Sequence, residues 1–125
     1  MDNLIFTYLL DIKKAIVELE SYFVDYPMRY DVFEKDCLRR SAVERKAEIM
    51  GEAMNRIHKL DPNYIIPNAR GVIDTRNRII HAYDSVKPEF LWGLVIRHIP
   101  ELKKDIERLI KEELAKGNLD SDINI

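Results

Sequence analysis

The stretch from residue 76 to residue 83 holds the side chains of this sequence that are best suited to phosphate and proton chemistry. Two guanidiniums, an amide, an imidazole and a phenol lie within eight residues, on Arg76, Asn77, Arg78, His81 and Tyr83. Paired donors of a guanidinium hold phosphate oxygens, and an imidazole accepts or donates a proton near neutral pH. We therefore take this stretch as the candidate functional site.

A structural interpretation of the same residues stays open. Arg76 and Arg78 would then be solvated surface charges, and His81 a partly buried histidine with satisfied hydrogen bonds. Tyr83 would be an amphipathic core residue. The residue types alone favour this interpretation, because clusters of polar groups are often only structural.

Other kinds of site find little support in the sequence. The histidines His58, His81 and His98 lack the HExxH spacing of a zinc site, and four scattered glycines cannot supply a P-loop. Gly51 falls inside a predicted helix, where glycine costs about 1 kcal/mol relative to alanine, and this predicts a close helix crossing. The single Cys37 cannot form an intrachain disulfide and is expected to be a small packing residue.

Length and composition restrict the class of protein. The 125 residues suit one domain, which we place at residues 1–115, with a flexible polar tail at 116–125. Apolar residues at 46%, charged residues at 34% and only 4 glycines favour helices over a turn-rich β-sandwich. The chain is not basic overall, because its net charge is -2, so its net charge gives no reason to expect nucleic-acid binding. A local basic face is still possible. The sequence has no signal-like start and no run of about 20 apolar residues, which predicts a cytoplasmic protein.

Apolar residues recur at helical spacing through most of the chain. A first stripe predicts a helix over residues 3–26 that Pro27 ends. Asp31 and Glu34 imitate a capping box and predict a long second helix over residues 31–59. The expected apolar face of the second helix is Phe33, Leu38, Ala42, Ile49, Ala53, Met54 and Ile57. A helix of about 40 Å exceeds what a small core needs, which suggests a partner.

The second half of the chain continues the helical pattern. Turn residues at 61–68 predict a loop, and a short helix over residues 71–83 then carries the candidate site. Pro88 suits the first turn of a fourth helix, and Pro100 is expected to kink or split it. With no strand signal, the prediction is an all-α bundle of four or five helices with a long second helix.

The candidate stretch also resembles a known family. The spacing of Arg76, His81 and Tyr83 resembles the R-x4-H-x-Y signature of the HepT-like toxins of the HEPN superfamily. Four residues separate the arginine from the histidine, and one residue separates the histidine from the tyrosine. The resemblance further includes Asn77 after the arginine, the stretch Gly51-Glu52-Ala53, and Trp92 downstream. It extends over most of the chain, from about residue 3 to residue 110.

The resemblance implies a metal-independent endoribonuclease toxin, built as a homodimer and held inactive by a small nucleotidyltransferase antitoxin. Arg76 and His81 would be the catalytic pair, with Asn77 and Arg78 as candidates for supporting them or binding phosphate. The partner would use ATP and magnesium to adenylylate Tyr83, while this chain itself would need no cofactor. Cleavage of RNA by its own 2′-hydroxyl requires a base, an acid and positive charge at the phosphorane, which histidine and arginine supply.

The spacing of the catalytic pair imposes a geometric condition. Five residues at about 100° each place Arg76 and His81 about 140° apart around a regular helix. The two side chains meet on one phosphate if the helix is irregular there, or if a two-fold axis completes the site.

A local excess of basic residues surrounds the candidate stretch. Residues 35–87 contain 11 Lys and Arg against 7 Asp and Glu, whereas the rest of the chain contains 9 against 15. The residues expected to follow a phosphate backbone are Arg39, Arg40, Arg45, Lys46, Arg56, Arg70, Arg78 and Lys87. For each of them, a solvated surface charge is the alternative.

A second function also stays open. The chain would then be a non-catalytic helical accessory subunit that binds a nucleotidyltransferase or a nucleotide through its arginine and histidine cluster. Both hypotheses predict a partner protein. They differ in whether expression of the chain alone arrests growth in a manner that depends on His81.

Overall fold

The computed structural model describes residues 3–82 and 86–116, and this part of the chain is all-α. Its helices are α1 (Leu4–Ser21), α2 (Tyr30–Glu34), α3 (Cys37–Leu60), α4 (Arg70–His81), α5 (Pro88–Gly93) and α6 (Ile99–Ala115). A π-helical segment, Leu94–His98, joins α5 directly to α6. Four long helical stretches and the short α2 form the bundle, which confirms the predicted fold class.

The first helix ends earlier than predicted. At its start the Asn3 side chain accepts a hydrogen bond from the Phe6 backbone N–H at 3.0 Å, a regular N-cap. At its end the Tyr22 backbone N–H tightens the last turn, and Asp25 takes a left-handed backbone conformation with φ 57°. The prediction that Pro27 ends this helix is therefore wrong, because the chain has already turned before the proline.

The predicted second helix is in fact two helices. Asp31 does not cap a helix; its carboxylate bonds the Arg29 side chain at 2.8 Å, and α2 begins without a side-chain cap. Asp36 starts α3 instead, by accepting a hydrogen bond from the Arg39 backbone N–H at 3.1 Å. The capping-box prediction is wrong because this second cap restarts the helix five residues later. With 24 residues, α3 is about 36 Å long and remains the longest helix described.

The core lies where α1 packs against α3 and α6, and where α3 packs against α4. The buried residues of α3 are Val43, Ala47, Met50, Gly51, Ala53, Met54 and Ile57. The predicted face is thus wrong at Leu38, which is 79% exposed, and the packing role predicted for Cys37 is wrong as well. Both residues lie in the first turn of α3, where no other helix covers them.

Pro88 and Pro100 act as predicted. Pro88 occupies the first turn of α5, where its missing N–H costs nothing. Pro100 cannot donate to the preceding turn, and its ring crowds the carbonyl four residues back. The turn before it is widened into the π-helical segment, in which the Ile99 backbone N–H donates to the Leu94 oxygen five residues earlier.

None of the helices in residues 3–82 and 86–116 combines the length and hydropathy needed to cross a bilayer. Tyr83 and the residues from 117 onward lie outside the described part of the chain. The domain boundary at residue 115 stays a prediction.

Candidate active site

The candidate residues of helix α4 lie in different surroundings. The helix occupies the predicted position and ends at His81, two residues before the predicted end. It buries only Val72 and Thr75, and the Thr75 hydroxyl donates to the Gly71 oxygen at 2.7 Å within the helix. Most of the α4 surface is therefore available to its polar side chains.

The Arg76 side chain crosses α3 at Gly51. A Cβ atom on Gly51 would lie 2.6 Å from Arg76 Cγ and 2.8 Å from Arg76 Cβ, closer than side chains pack. The glycine therefore makes room for the stem of the arginine. The close helix crossing predicted at Gly51 is confirmed.

Glu52, the next residue of α3, holds the Arg76 guanidinium. Arg76 Nη2 lies 3.3 Å from Glu52 Oε2, and Arg56 Nε donates to Glu52 Oε1 at 3.2 Å. Tyr8 and Glu52 beside Arg56 raise the pKa of its guanidinium above its usual range. One carboxylate thus orients two arginines. A guanidinium has five N–H donors, and within the described residues only Glu52 accepts a hydrogen bond from Arg76.

These residues line a groove of about 670 Å³ between α1, α3 and α4, which we call the Arg76 groove. Its charged residues are Lys14, Arg45, Lys46, Arg56 and Arg76, and Asp11, Glu18, Glu48 and Glu52. Ile49 and Ile80 add apolar surface, and Ile80 is 51% exposed. An anion that enters the groove would meet Arg76 beside a partly apolar wall.

Asn77 and Arg78 line two further clefts. Asn77 is exposed in a cleft of about 540 Å³ that also contains His58 and reaches Arg76 from the other side of the α3–α4 crossing. The Arg78 guanidinium lies 3.9 Å from the centre of the Phe90 ring. It lines a cleft of about 390 Å³ between α4 and the stretch from α5 through the π-helical segment, which we call the Phe90 cleft. The structure thus brings Asn77, but not Arg78, next to Arg76.

His81 is exposed at the end of α4 and lines none of these three clefts. Because α4 is α-helical over its whole length, the angle of about 140° between Arg76 and His81 is not reduced by an irregular turn. A single chain therefore does not gather the two residues in any of these clefts. Of the two geometric conditions stated above, completion by a two-fold axis is the one that stays open.

Most of the residues expected to form a basic face already have acidic partners. The pairs are Arg39 with Asp36, Arg45 with Glu48, Lys46 with Glu18, Arg56 with Glu52, and Arg70 with Asp74. Arg39 also lies over the Tyr26 ring, 4.1 Å from its centre. A continuous phosphate track is thus not free along these residues, although partly exposed ion pairs open at low cost.

The sequence reasoning missed Glu52 as the partner of Arg76. The available signal is the spacing of four between Glu52 and Arg56, which places an anchored carboxylate on a helix face. Its contact with Arg76, 24 residues further on, depends on how α3 and α4 cross. The contributions of Phe90, Arg97 and His98 to a cleft with Arg78 were missed for the same reason.

Comparison with known proteins gives consistent matches over most of the chain. The pattern of the family described as Ribonuclease HepT-like matches residues 12–109. The protein named "Putative RNase MJ0127" of Methanocaldococcus jannaschii is 31% identical over 106 residues, which cover 84% of this chain and 86% of that protein. "Probable ribonuclease HepT" of Thermococcus cleftensis is 36% identical over 108 residues, which cover 83% of this chain and 94% of that protein. No solved structure matches the chain significantly.

Proposed function

The chain belongs to the Ribonuclease HepT-like family, and we propose that it is a toxin that cleaves RNA by transesterification at Arg76 and His81 without a metal ion. The family match and the ribonuclease names of its relatives support the substrate and the reaction class. The groove around Arg76 supports the role of that residue in binding the phosphate.

In the proposed reaction His81 accepts the proton of the RNA 2′-hydroxyl, and the 2′-oxygen forms a bond to phosphorus. The bond from phosphorus to the 5′-oxygen breaks, and the leaving oxygen takes a proton from an imidazolium, which we assign to the His81 of a second copy. Arg76 binds the non-bridging oxygens, where negative charge grows as the phosphorane forms. The products are a 2′,3′-cyclic phosphate and a 5′-hydroxyl. Asn77, beside Arg76, is placed to orient the phosphate.

The observation that carries this proposal is the environment of Arg76. Gly51 clears its path and Glu52 fixes its guanidinium, while the side chain remains 25% exposed to the groove. A half-buried guanidinium with a fixed position and unused donors is suited to an anion whose charge increases during the reaction. A purely structural arginine would need neither the open groove nor the spare donors.

We propose a homodimer because one chain leaves the reacting groups apart. His81 is exposed at the end of α4, and the neighbouring Ile80 is an exposed apolar side chain on the wall of the Arg76 groove. An isologous interface near this end of α4 would cover Ile80 and place two copies of each catalytic group around one cleft.

The chemistry of the RNA ends tests this function. Parent protein is incubated with a 5′-labelled RNA, and the fragments are examined by mass spectrometry. We expect 2′,3′-cyclic phosphate ends and 5′-hydroxyl ends. Fragments with 3′-hydroxyl and 5′-phosphate ends would contradict transesterification, because they arise when water attacks phosphorus, usually with a metal ion.

We also propose that a cognate nucleotidyltransferase antitoxin silences the toxin by adenylylating Tyr83, which lies outside the described residues. Tyr83 follows His81 by two residues in the sequence. An attached AMP would bring a phosphodiester anion and an adenosine close to the catalytic pair. The anion could occupy guanidinium donors that the RNA phosphate needs, and the adenosine could block the cleft.

A Tyr83→Phe variant separates modification from simple occlusion. It should keep much of the nuclease activity and should resist silencing by an active antitoxin supplied with ATP and magnesium. Intact-mass analysis of the parent should give AMP additions that map to Tyr83. If the antitoxin silences Tyr83→Phe as well as the parent, adenylylation of this residue is not the switch.

Growth of cells that express the chain alone distinguishes the toxin from the accessory subunit considered above. The toxin arrests growth, and His81→Ala relieves the arrest. An accessory subunit that acts only by binding a nucleotidyltransferase leaves growth unchanged in both cases.

A further inference from the structure

The Phe90 cleft is a second cationic site that the reaction proposed above does not use. Arg78 enters it from α4, and Arg97 and His98 enter it from the π-helical segment. The cleft shares no lining residue with the Arg76 groove. The Phe90 cleft and the Arg76 groove are therefore two separate sites.

The Arg78 guanidinium is fixed in this cleft by an aromatic ring. It lies 3.9 Å from the centre of the Phe90 ring, a distance at which the ring face attracts the cation. Stacking occupies a face of the guanidinium but not the N–H donors at its edge. Arg78 is thus oriented with its donors available.

The π-helical segment contributes Arg97 and His98 to the cleft, and α4 also contributes Arg70. The segment is closed by the hydrogen bond from the Ile99 backbone N–H to the Leu94 oxygen, five residues earlier. The His98 ring lies against Gly71 of α4, where a Cβ would be 2.4 Å from the ring atoms. Arg97 Nη2 lies 3.9 Å from the position of a Cβ on Gly93. Gly71 therefore leaves the space that the imidazole occupies, whereas a side chain on Gly93 would only touch the guanidinium.

The acidic residues of the cleft have partners other than Arg78 and Arg97, one of which is Arg70 of the same cleft. Asp74 lies 3.6 Å from Arg70, and Glu89 accepts a hydrogen bond from the Tyr30 hydroxyl at 3.0 Å. Within residues 3–82 and 86–116, no carboxylate lies within ion-pair distance of Arg78 or Arg97. The guanidiniums of Arg78 and Arg97, which line one cleft and have no acidic partner among the described residues, favour an external anion.

The position of the cleft relative to His81 indicates which anion this is. Arg78 precedes His81 by three residues, so the two side chains are neighbours on one side of α4. Arg76, in contrast, lies about 140° away from His81. A strand that presents a phosphate to His81 can therefore pass its neighbouring phosphate along the same side of α4 to Arg78.

We propose that the Phe90 cleft is a second phosphate site, in which Arg78 and Arg97 bind the RNA backbone beside the cleaved bond. This inference rests on the proposed function, since it needs RNA at His81. It adds Arg97, with His98 and Phe90 beside it, to the residues that contact the substrate.

RNA binding by Arg97→Ala tests the site. The probe is a fluorescent 2′-O-methyl RNA of 20 nucleotides, which cannot be cleaved through a 2′-hydroxyl, and Kd is measured by anisotropy at several salt concentrations. We expect Arg97→Ala to raise Kd about three- to tenfold and to lower the slope of log Kd against log salt by about 0.7, the contribution of one phosphate contact on a single strand. Arg97→Lys should keep most of the slope because it keeps the charge.

Arg108→Ala is the matched control, since Arg108 is an exposed arginine on the same helical stretch and lines none of the three clefts. Its Kd should stay within twofold of the parent. If the parent binds RNA and Arg97→Ala binds it with the same Kd and slope, the second phosphate site is wrong while the proposed function stands. Loss of antitoxin binding in Arg97→Ala, with RNA binding unchanged, would overturn it in favour of a protein contact. If the parent neither binds nor cleaves RNA, the proposed function fails with it.

Discussion

Two residues of α3 determine how the Arg76 side chain is placed in its groove. Gly51 leaves the space through which the arginine stem passes, and Glu52 bonds the guanidinium at 3.3 Å. Arg56 bonds the other oxygen of the same carboxylate and so restricts its rotation. The position of Arg76 therefore depends on a residue that does not itself face the RNA in our mechanism, which makes Glu52 a positioning residue.

Glu52→Gln should slow cleavage without unfolding the protein. The amide keeps the shape of the side chain but weakens its hold on two guanidiniums, and a small displacement of a catalytic group lowers the rate strongly. We expect kcat to fall about tenfold or more, with KM and the melting temperature changed little because the side chain is half exposed. Single-turnover cleavage and thermal melting measure the two effects.

Glu48→Gln is the matched control for this change. Glu48 lines the same groove, and its partner is Arg45 at 3.5 Å rather than Arg76. Its kcat should stay near that of the parent, and Glu52→Asp should recover part of the activity because it keeps the charge. Equal kcat values in Glu52→Gln and Glu48→Gln would remove the positioning role.

At the residue scale, the sequence predicts which residues belong to the candidate site better than it predicts the contacts of their side chains. The density of polar groups and the R-x4-H-x-Y spacing single out Arg76 and His81, and the helical glycine predicts a close crossing at Gly51. Neither pattern specifies that Arg76 is the side chain that fills the space at Gly51, or that Glu52 holds it. Those facts depend on the angle and register between α3 and α4, which no local spacing contains.

At the scale of helices, the start of α3 is set by Asp36 and not by Asp31. The Asp36 carboxylate accepts from the Arg39 backbone N–H at 3.1 Å, from the Arg39 side chain at 2.8 Å and from the Tyr26 hydroxyl at 2.9 Å. Asp36→Ala should therefore lower the free energy of unfolding by about 1 kcal/mol, the usual cost of a lost N-cap. Asp31→Ala, which removes only an exposed pair with Arg29, should change it by less than about 0.5 kcal/mol. Urea unfolding of both variants measures the difference, and equal effects would contradict the assignment of the cap.

The same cap predicts how stability depends on pH. The Arg39 backbone N–H and guanidinium hold the pKa of the Asp36 carboxyl below its ordinary value of 3.8. A carboxyl with a lowered folded-state pKa stabilises the fold fully above its unfolded pKa, and the stabilisation is lost as pH falls through the folded pKa. The stability advantage of the parent over Asp36→Ala should therefore be constant near neutral pH and shrink below about pH 4. An advantage that grows on acidification would contradict this sign.

The sequence predicts helix positions well and helix boundaries less well. Apolar periodicity finds every long helix, because burial of a stripe requires it. The sequence pattern predicts a cap at Asp31, whereas the cap lies five residues on at Asp36, where Arg39 and Tyr26 both donate to the carboxylate. Likewise Pro100 predicts a break, but the sequence pattern does not specify that the break is π-helical.

At the scale of the whole molecule, the proposed site requires two copies of the chain. We expect the parent to sediment as a dimer at micromolar concentration. Arg76→Ala mixed with His81→Ala should regain only a small part of the parent activity, since the mixed dimer keeps one Arg76 and one His81 but lacks the second His81 that protonates the leaving oxygen. Each variant alone should remain inactive. Active protein that sediments only as a monomer of about 15 kDa, close to the chain mass of 14.8 kDa, would contradict the composite site.

The fold class follows from composition and periodicity, but the assembly does not. The length of the predicted second helix suggests a partner, but the apolar pattern does not show which surface would form the interface. The exposed end of α4, with Ile80 beside His81, becomes visible as a candidate contact only once the helices are packed. The angle of about 140° between Arg76 and His81 around the helix, which favours a site made from two copies, can be read from the sequence.

The most direct test of the account is cleavage of a labelled RNA, in the presence of EDTA, by the parent, His81→Ala and His58→Ala. His58 is an exposed histidine of α3 and serves as the matched control, and circular dichroism verifies that all three proteins are folded. The account predicts that the parent and His58→Ala cleave the RNA at similar rates in EDTA, and that His81→Ala loses at least about a hundredfold in rate, as expected for removal of a general base. Full activity of folded His81→Ala, or complete inhibition of the parent by EDTA, would contradict it.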